Sequence, residues 1–130
     1  MIVGIDELKD VVDRLKKNSI ILLKGNLASG KTTLVKEFVA SLGVDSEVSS
    51  PTFSIMNSYE DRVFHYDIYN EGSDKFIESG LLENLEVDGY HLIEWADESL
   101  ESILKSYGFS FTVVEITPKD DKREYNIYEA

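Results

Sequence analysis

The sequence predicts an α/β fold: a mixed β-sheet flanked by helices, finished by a C-terminal β-hairpin. Three observations carry that prediction. Short aliphatic or β-branched runs alternate with helical stripes along the chain. The run Ile20–Leu23 passes through a glycine-containing octapeptide, Gly25-Asn-Leu-Ala-Ser-Gly30-Lys31-Thr32, directly into a helical stripe. Two strand-like stretches, "FSFTVVEIT" and "REYNIY", close the chain around the polar "PKDDK".

The elements follow in order. Leu8, Val11, Val12 and Leu15 recur at helical spacing behind Asp6 and Glu7, which marks an amphipathic helix. "SIILLK" is too short and too aliphatic for a surface helix and reads as a buried strand. Leu34, Val35, Phe38, Val39 and Leu42 form a second helical stripe, with Gly43 as its C-terminal stop. Phe53–Tyr59 and Arg62–Ile68 read as two strands around Glu60-Asp61. A short helix follows Gly72 and runs to Ser79, with a stop at Gly80 and an apolar "LLENL" beyond it. "YHLIEW" is another buried strand. The helix after it carries a stripe of Leu100, Ile103, Leu104 and Tyr107.

With 130 residues and no linker or repeat, residues 1–130 are expected to form one domain. The chain has no cysteine, which excludes disulfides and thiolate metal sites and suits a reducing compartment. Its first ten residues lack a basic region followed by an apolar core, and its aliphatic runs fall far short of the ~20 residues that span a bilayer. A cytoplasmic protein without membrane contact is expected. The balance of 13 basic against 25 acidic side chains gives −12, which disfavours direct contact with a nucleic-acid backbone.

The octapeptide matches G-x-x-x-x-G-K-[ST] in full and lies between a strand and a helix, where a phosphate loop must lie. Gly25 and Gly30 let the backbone curl so that the N–H groups of Asn26, Leu27, Ala28 and Ser29 point inward at phosphate. Helix entry at Lys31, Thr32 and Thr33 adds the positive end of a dipole. Lys31 has the reach for the terminal phosphates, and the Thr32 hydroxyl suits Mg²⁺. The predicted class is a P-loop NTPase-like domain.

Phosphoryl chemistry on such a loop needs a carboxylate near the metal, at the end of a neighbouring strand. Asp67 and Glu94 both end predicted strands, and Glu94, behind Leu92 and Ile93, is expected to be the more buried. Trp95 stands beside it, as core or as pocket wall. His65 reads as a structural histidine within a strand. "VSSPTFS" carries Ser50, Pro51 and Thr52 where switch-type NTPases close on the terminal phosphate. A guanine-reading Asn-Lys-x-Asp is absent: Pro118-Lys119-Asp120-Asp121 lacks the asparagine, so ATP is the expected nucleotide. No segment is free to serve as a kinase lid. Lys122 and Arg123, on the last hairpin, are open between nucleotide and partner.

The phosphate loop with "TT", then "SPTF", "HYDIY" and "LIEW", in that order and at these intervals, resembles the TsaE family over Leu22–Trp95. The resemblance implies a small bacterial ATPase of tRNA threonylcarbamoyladenosine modification, weak alone and cycling a complex with TsaB and TsaD. Those partners would hold the transferase chemistry and the tRNA. It also implies Thr32 and Glu94 on Mg²⁺, Asp67 in the metal-water shell and hydrolysis, Ser50-Pro51-Thr52 as a switch and Trp95 on the functional surface. The alternative within this resemblance is a nucleotide-gated binding module, in which ATP occupancy stabilises the complex and hydrolysis is incidental. The sequence departs from the family pattern at Asn26, Ala28 and Ser29 (for an acid, a glycine and an alanine), at Asn70 (for an arginine) and at Ala96 (for a proline). Loss of the acid removes a negative charge beside the phosphates.

The charge balance yields a prediction. The isolated chain should bind tRNA weakly in a filter-binding or electrophoretic assay. Tight, salt-sensitive binding would contradict it.

Overall fold

The structure, a computed structural model, describes residues 2–4, 7–15, 19–25, 30–44, 56–60, 62–68 and 72–129. Its strands are β1 (Ile2–Val3), β2 (Ile20–Lys24), β3 (Met56–Tyr59), β4 (Val63–Asp67), β5 (Tyr90–Glu94), β6 (Thr112–Lys119) and β7 (Lys122–Glu129). Its helices are α1 (Leu8–Leu15), α2 (Lys31–Ser41), α3 (Gly72–Glu78), α4 (Leu81–Asn84) and α5 (Glu98–Ser106). All seven strands join one sheet in the order β1-β7-β6-β2-β5-β4-β3.

β2 is central and pairs in parallel with both β5 and β6, while β4 pairs in parallel with β5. Four parallel strands therefore end at the same edge. The outer pairings β3–β4, β6–β7 and β1–β7 are antiparallel. Helices cover both faces, as the alternation of elements requires. Along β2 the side chains divide by period two: Ile21 and Leu23 pack with α1 and α2, and Ile20 and Leu22 pack with α3 and α5. Leu8, Val11, Val12 and Leu15 of α1 are all buried, as are Leu34, Val35, Phe38 and Val39 of α2. Gly43, at φ 76°, closes α2 by donating its N–H to Ala40 O.

Two expectations are revised. Tyr107 does not continue the α5 stripe. The helix ends at Ser106, Gly108 turns the chain at φ 81°, and Tyr107 is 68% exposed. The polar turn shrinks to Asp120-Asp121, because strand pairing runs on to Lys119↔Lys122, with Asp120 at φ 57° as a tight hairpin demands. Pro118 is tolerated inside β6 because pairing with β2 stops at Glu115, so no neighbour on that side needs its missing N–H. The two-residue β1, too short to show any period, is an element that pattern alone misses. The first part of the strand expected at Phe53–Tyr59 lies outside the described residues, where β3 begins at Met56.

A polar chain is buried on the α3–α5 side. His91 donates from Nε2 to Val87 O (2.8 Å), so Nδ1 is left to accept from the Tyr66 hydroxyl (2.7 Å). Tyr66 oxygen in turn accepts from Asn84 Nδ2 (2.8 Å). Burial pushes the Tyr66 phenol up to about 12 and holds His91 below its ordinary 6.5, the Val87 carbonyl opposing the latter. The folded state thus resists a proton that the unfolded state accepts, so stability is fully present above 6.5 and falls as the pH drops through it. Denaturation midpoints should fall between about pH 7.5 and about pH 5.5, and His91→Gln should flatten that part of the profile.

Candidate functional site

The site lies at the edge where β2, β5 and β4 end. Register there is explicit: Leu23 faces Glu94 across β2–β5, and Asp67 faces Glu94 across β4–β5. Partners in a parallel pair point to the same face, so both carboxylates stand on the α2 side, beside the start of that helix. This is the position where open α/β sheets hold ligands.

Gly30 precedes α2 with φ 106°, a conformation costly for any residue with a Cβ. It is the N-cap and supplies no side-chain cap, so the positive end of α2 opens beside the strand ends. Lys31, the first helical residue, is only 5% exposed. Its Nζ donates to Gly25 O at 2.8 Å and stands 4.0 Å from the centroid of the Trp95 ring. Desolvation lowers the Lys31 pKa from its ordinary value, and the negative charges of Glu94 and Asp67 work against that shift.

Glu94 is buried, at 3% exposure, and does not stand alone. The Thr32 hydroxyl donates to its Oε2 at 3.2 Å, and His65 Nε2 donates to the same oxygen. An acid behind two aliphatic residues is tolerable here because both its neighbours donate. Asp67, opposite, is half-buried. Trp95 follows Glu94 with φ 68°, unusual for a bulky residue. Its N–H reaches Leu23 O at 3.4 Å, so the strand ends by turning sharply and carrying the indole under Lys31.

The structure therefore brings together Gly25, Gly30, Lys31, Thr32, Asp67, Glu94 and Trp95. Thr33 occupies the third position of α2, half-buried. Asn26, Leu27, Ala28 and Ser29 of the loop, Ser50, Pro51 and Thr52 of the expected switch, and Asn70 all lie outside the described residues. Ala96, where the family carries proline, is buried against the α3–α5 side of the core.

Two residues reach the site that sequence reasoning undervalued. His65, read as structural, is fully buried and holds Glu94 in place, while its Nδ1 has no hydrogen-bond partner. A signal was available: His65 stands two residues before Asp67 on one strand, so both share a face. Arg123, left open between nucleotide and partner, lies against Gly30 through a strand pairing that no local pattern reveals.

The residues fit a nucleotide and its metal. The helix start has no side-chain cap at Gly30, and this glycine has no room for a Cβ, which would lie 2.8 Å from Arg123 Nε. The oxygens of Thr32 and Glu94 are the hard donors that Mg²⁺ takes. Among the described residues there is no cluster of three or more His, Cys, Asp or Glu able to enclose a metal.

A G-x-x-x-x-G-K-[ST] sequence between a central parallel strand and its helix, with a carboxylate at the end of the adjacent strand, is the arrangement of the P-loop fold class. Residues 5–125 match the family model described as "Threonylcarbamoyl adenosine biosynthesis protein TsaE". The chain belongs to the TsaE family. It is 38% identical over 101 residues to the tRNA threonylcarbamoyladenosine biosynthesis protein TsaE of Treponema pallidum, covering 75% of this chain and 74% of that one. It is 34% identical over 120 residues to the TsaE of Bacillus subtilis, covering 84% of this chain and 68% of that one. The crystal structure of Bacillus subtilis YdiB superposes with a TM-score of 0.70 at 26% identity, over 98% of this chain and 81% of that one.

Removing Glu94 leaves the Thr32 and His65 donors without their common acceptor. Glu94→Ala should therefore cost about 1–3 kcal/mol of unfolding free energy while the fold persists. Lys31→Met should cost less, since burial already disfavours the ammonium that it removes. Urea titration of both variants gives the comparison.

Proposed function

We propose that this chain is the ATP-binding and ATP-hydrolysing subunit of a tRNA threonylcarbamoyladenosine assembly, working in the cytoplasm with TsaB- and TsaD-type partners. The observation that carries the reading is the Thr32–Glu94 hydroxyl–carboxylate contact, beside Lys31 at the end of the phosphate-loop strand. Family membership supplies the pathway. In this reading tRNA is met only through the partners, which accords with the net charge of −12.

The chain's own residues divide the work. Backbone N–H groups at the start of α2 and the Lys31 ammonium bind the phosphates, giving up the Gly25 carbonyl contact to do so. Thr32 and Glu94 hold Mg²⁺, with His65 fixing the carboxylate from behind. Asp67, on the same face as Glu94, orients water for attack on the terminal phosphate. Ser50, Pro51 and Thr52 form the switch segment, and the Trp95 ring walls the pocket beneath Lys31. When bound, Mg²⁺ neutralises charge on the phosphates.

Phosphate release by the chain alone and with both partners tests the proposal. Turnover should be near zero alone, rise with the partners, and vanish in Lys31→Ala. Lys31→Ala and Glu94→Ala should both fail to support modification in a complementation assay, and normal complementation by Glu94→Ala would remove Glu94 from the metal site. A second reading rests on Asn26, which replaces the family's acid in the loop. If ATP binds but the full complex never turns it over, the chain is a nucleotide-gated binding module, and Asn26→Asp is the reversion to make.

A further inference from the structure

Arg123 is the second residue of β7, paired with Val3 of β1 on one side and Pro118 of β6 on the other. Its side chain lies against Gly30. A Cβ built on Gly30 would lie 2.8 Å from Arg123 Nε, 3.1 Å from Cδ and 3.2 Å from Cζ. The guanidinium thus packs on the loop's second glycine, one residue before Lys31. Only a residue without a side chain lets the cation come so close, and φ 106° at Gly30 makes the same demand on the backbone.

Arg123 Nε is buried and has no hydrogen-bond partner. Glu101 pairs with Lys24 and Glu94 accepts from His65, so neither of these buried or half-buried carboxylates engages it. This is unexpected in a chain with 25 acidic side chains, where a cation has many possible carboxylate partners. A buried N–H without an acceptor is costly, and it is retained where it has a task. Here the neighbouring backbone is the phosphate loop itself, and the guanidinium fork matches phosphate oxygens better than a point charge does.

We infer that Arg123 is a second cation of the nucleotide site, whose guanidinium contacts the phosphate chain held by the loop around Gly30 and Lys31. The contact ties the C-terminal hairpin to the phosphate loop. β7 is fixed on both edges by β1 and β6, so its backbone supplies a rigid mount for the side chain. The inference rests on the nucleotide reading proposed above and adds a residue to it that lies outside the loop and the strand-end carboxylates.

Isothermal titration of the wild-type chain, Arg123→Gln and Arg123→Lys with Mg-ATP and with inorganic tripolyphosphate tests it. Arg123→Gln should weaken both ligands by about tenfold or more, the scale of one charge-assisted contact. Arg123→Lys should fall between, because it keeps the charge and loses the fork. Thermal melting without ligand checks that the variants are folded. Wild-type affinity of Arg123→Gln for tripolyphosphate overturns the inference, whether or not ATP binding is lost, since loss for ATP alone means contact with the base. If Arg123→Gln does not fold, Arg123→Lys decides, and wild-type affinity for tripolyphosphate overturns the contact. Failure of the wild-type chain to bind either ligand would instead refute the nucleotide reading itself.

Discussion

The parallel register of β4, β5 and β2 is the constraint on which the site depends. Asp67, Glu94 and Leu23 stand in line across three strands, and period two then sends both carboxylates to the face where α2 begins. A slip of one residue in β5 would carry Glu94 to the α3–α5 side, away from Thr32 and His65. What holds the register is burial on both faces. Ile21, Leu23 and Leu92 pack toward α1 and α2, and Ile20, Leu22 and Ile93 pack the other way. The core and the site are specified by the same alternation.

Around that register the charges are arranged in depth. Glu94 is buried but receives donors from Thr32 and His65, so its desolvation is offset by hydrogen bonds. Lys31 is buried between a carbonyl and an aromatic face, with its charge disfavoured by desolvation and supported by Glu94 and Asp67. Positive φ at Gly30 and Trp95 turns the two chain segments that bring these groups together. Backbone strain of this kind, roughly 1–3 kcal/mol for a residue such as Trp95, is tolerated where packing over-determines the conformation.

The two histidines show how one residue type divides between tasks. His91 and His65 are both fully buried on neighbouring strands, yet they face opposite sides of the sheet. His91 is saturated by Tyr66 and Val87 and belongs to the packing of α4 and the segment before β5. His65 spends one nitrogen on Glu94 and has no partner at the other. Sequence position alone does not separate them; the face on which each lies does.

Much of the protein is legible in its sequence. The helical stripes of α1 and α2, the buried runs of β2 and β5, and the phosphate loop between β2 and α2 are local signals, because periodicity and glycine content act over a few residues. Four motifs in order were enough to indicate the family. Tertiary structure decided what depends on distant pairing: that β6 joins β2 in parallel, making the C-terminal hairpin part of the central sheet, and that β1 adds a strand beyond it. It also decided that α5 ends before Tyr107, that His65 reaches Glu94, and that Arg123, more than ninety residues along the chain from Gly30, lies against it. Such contacts depend on the order in which strands meet, and no window of neighbouring residues records that order.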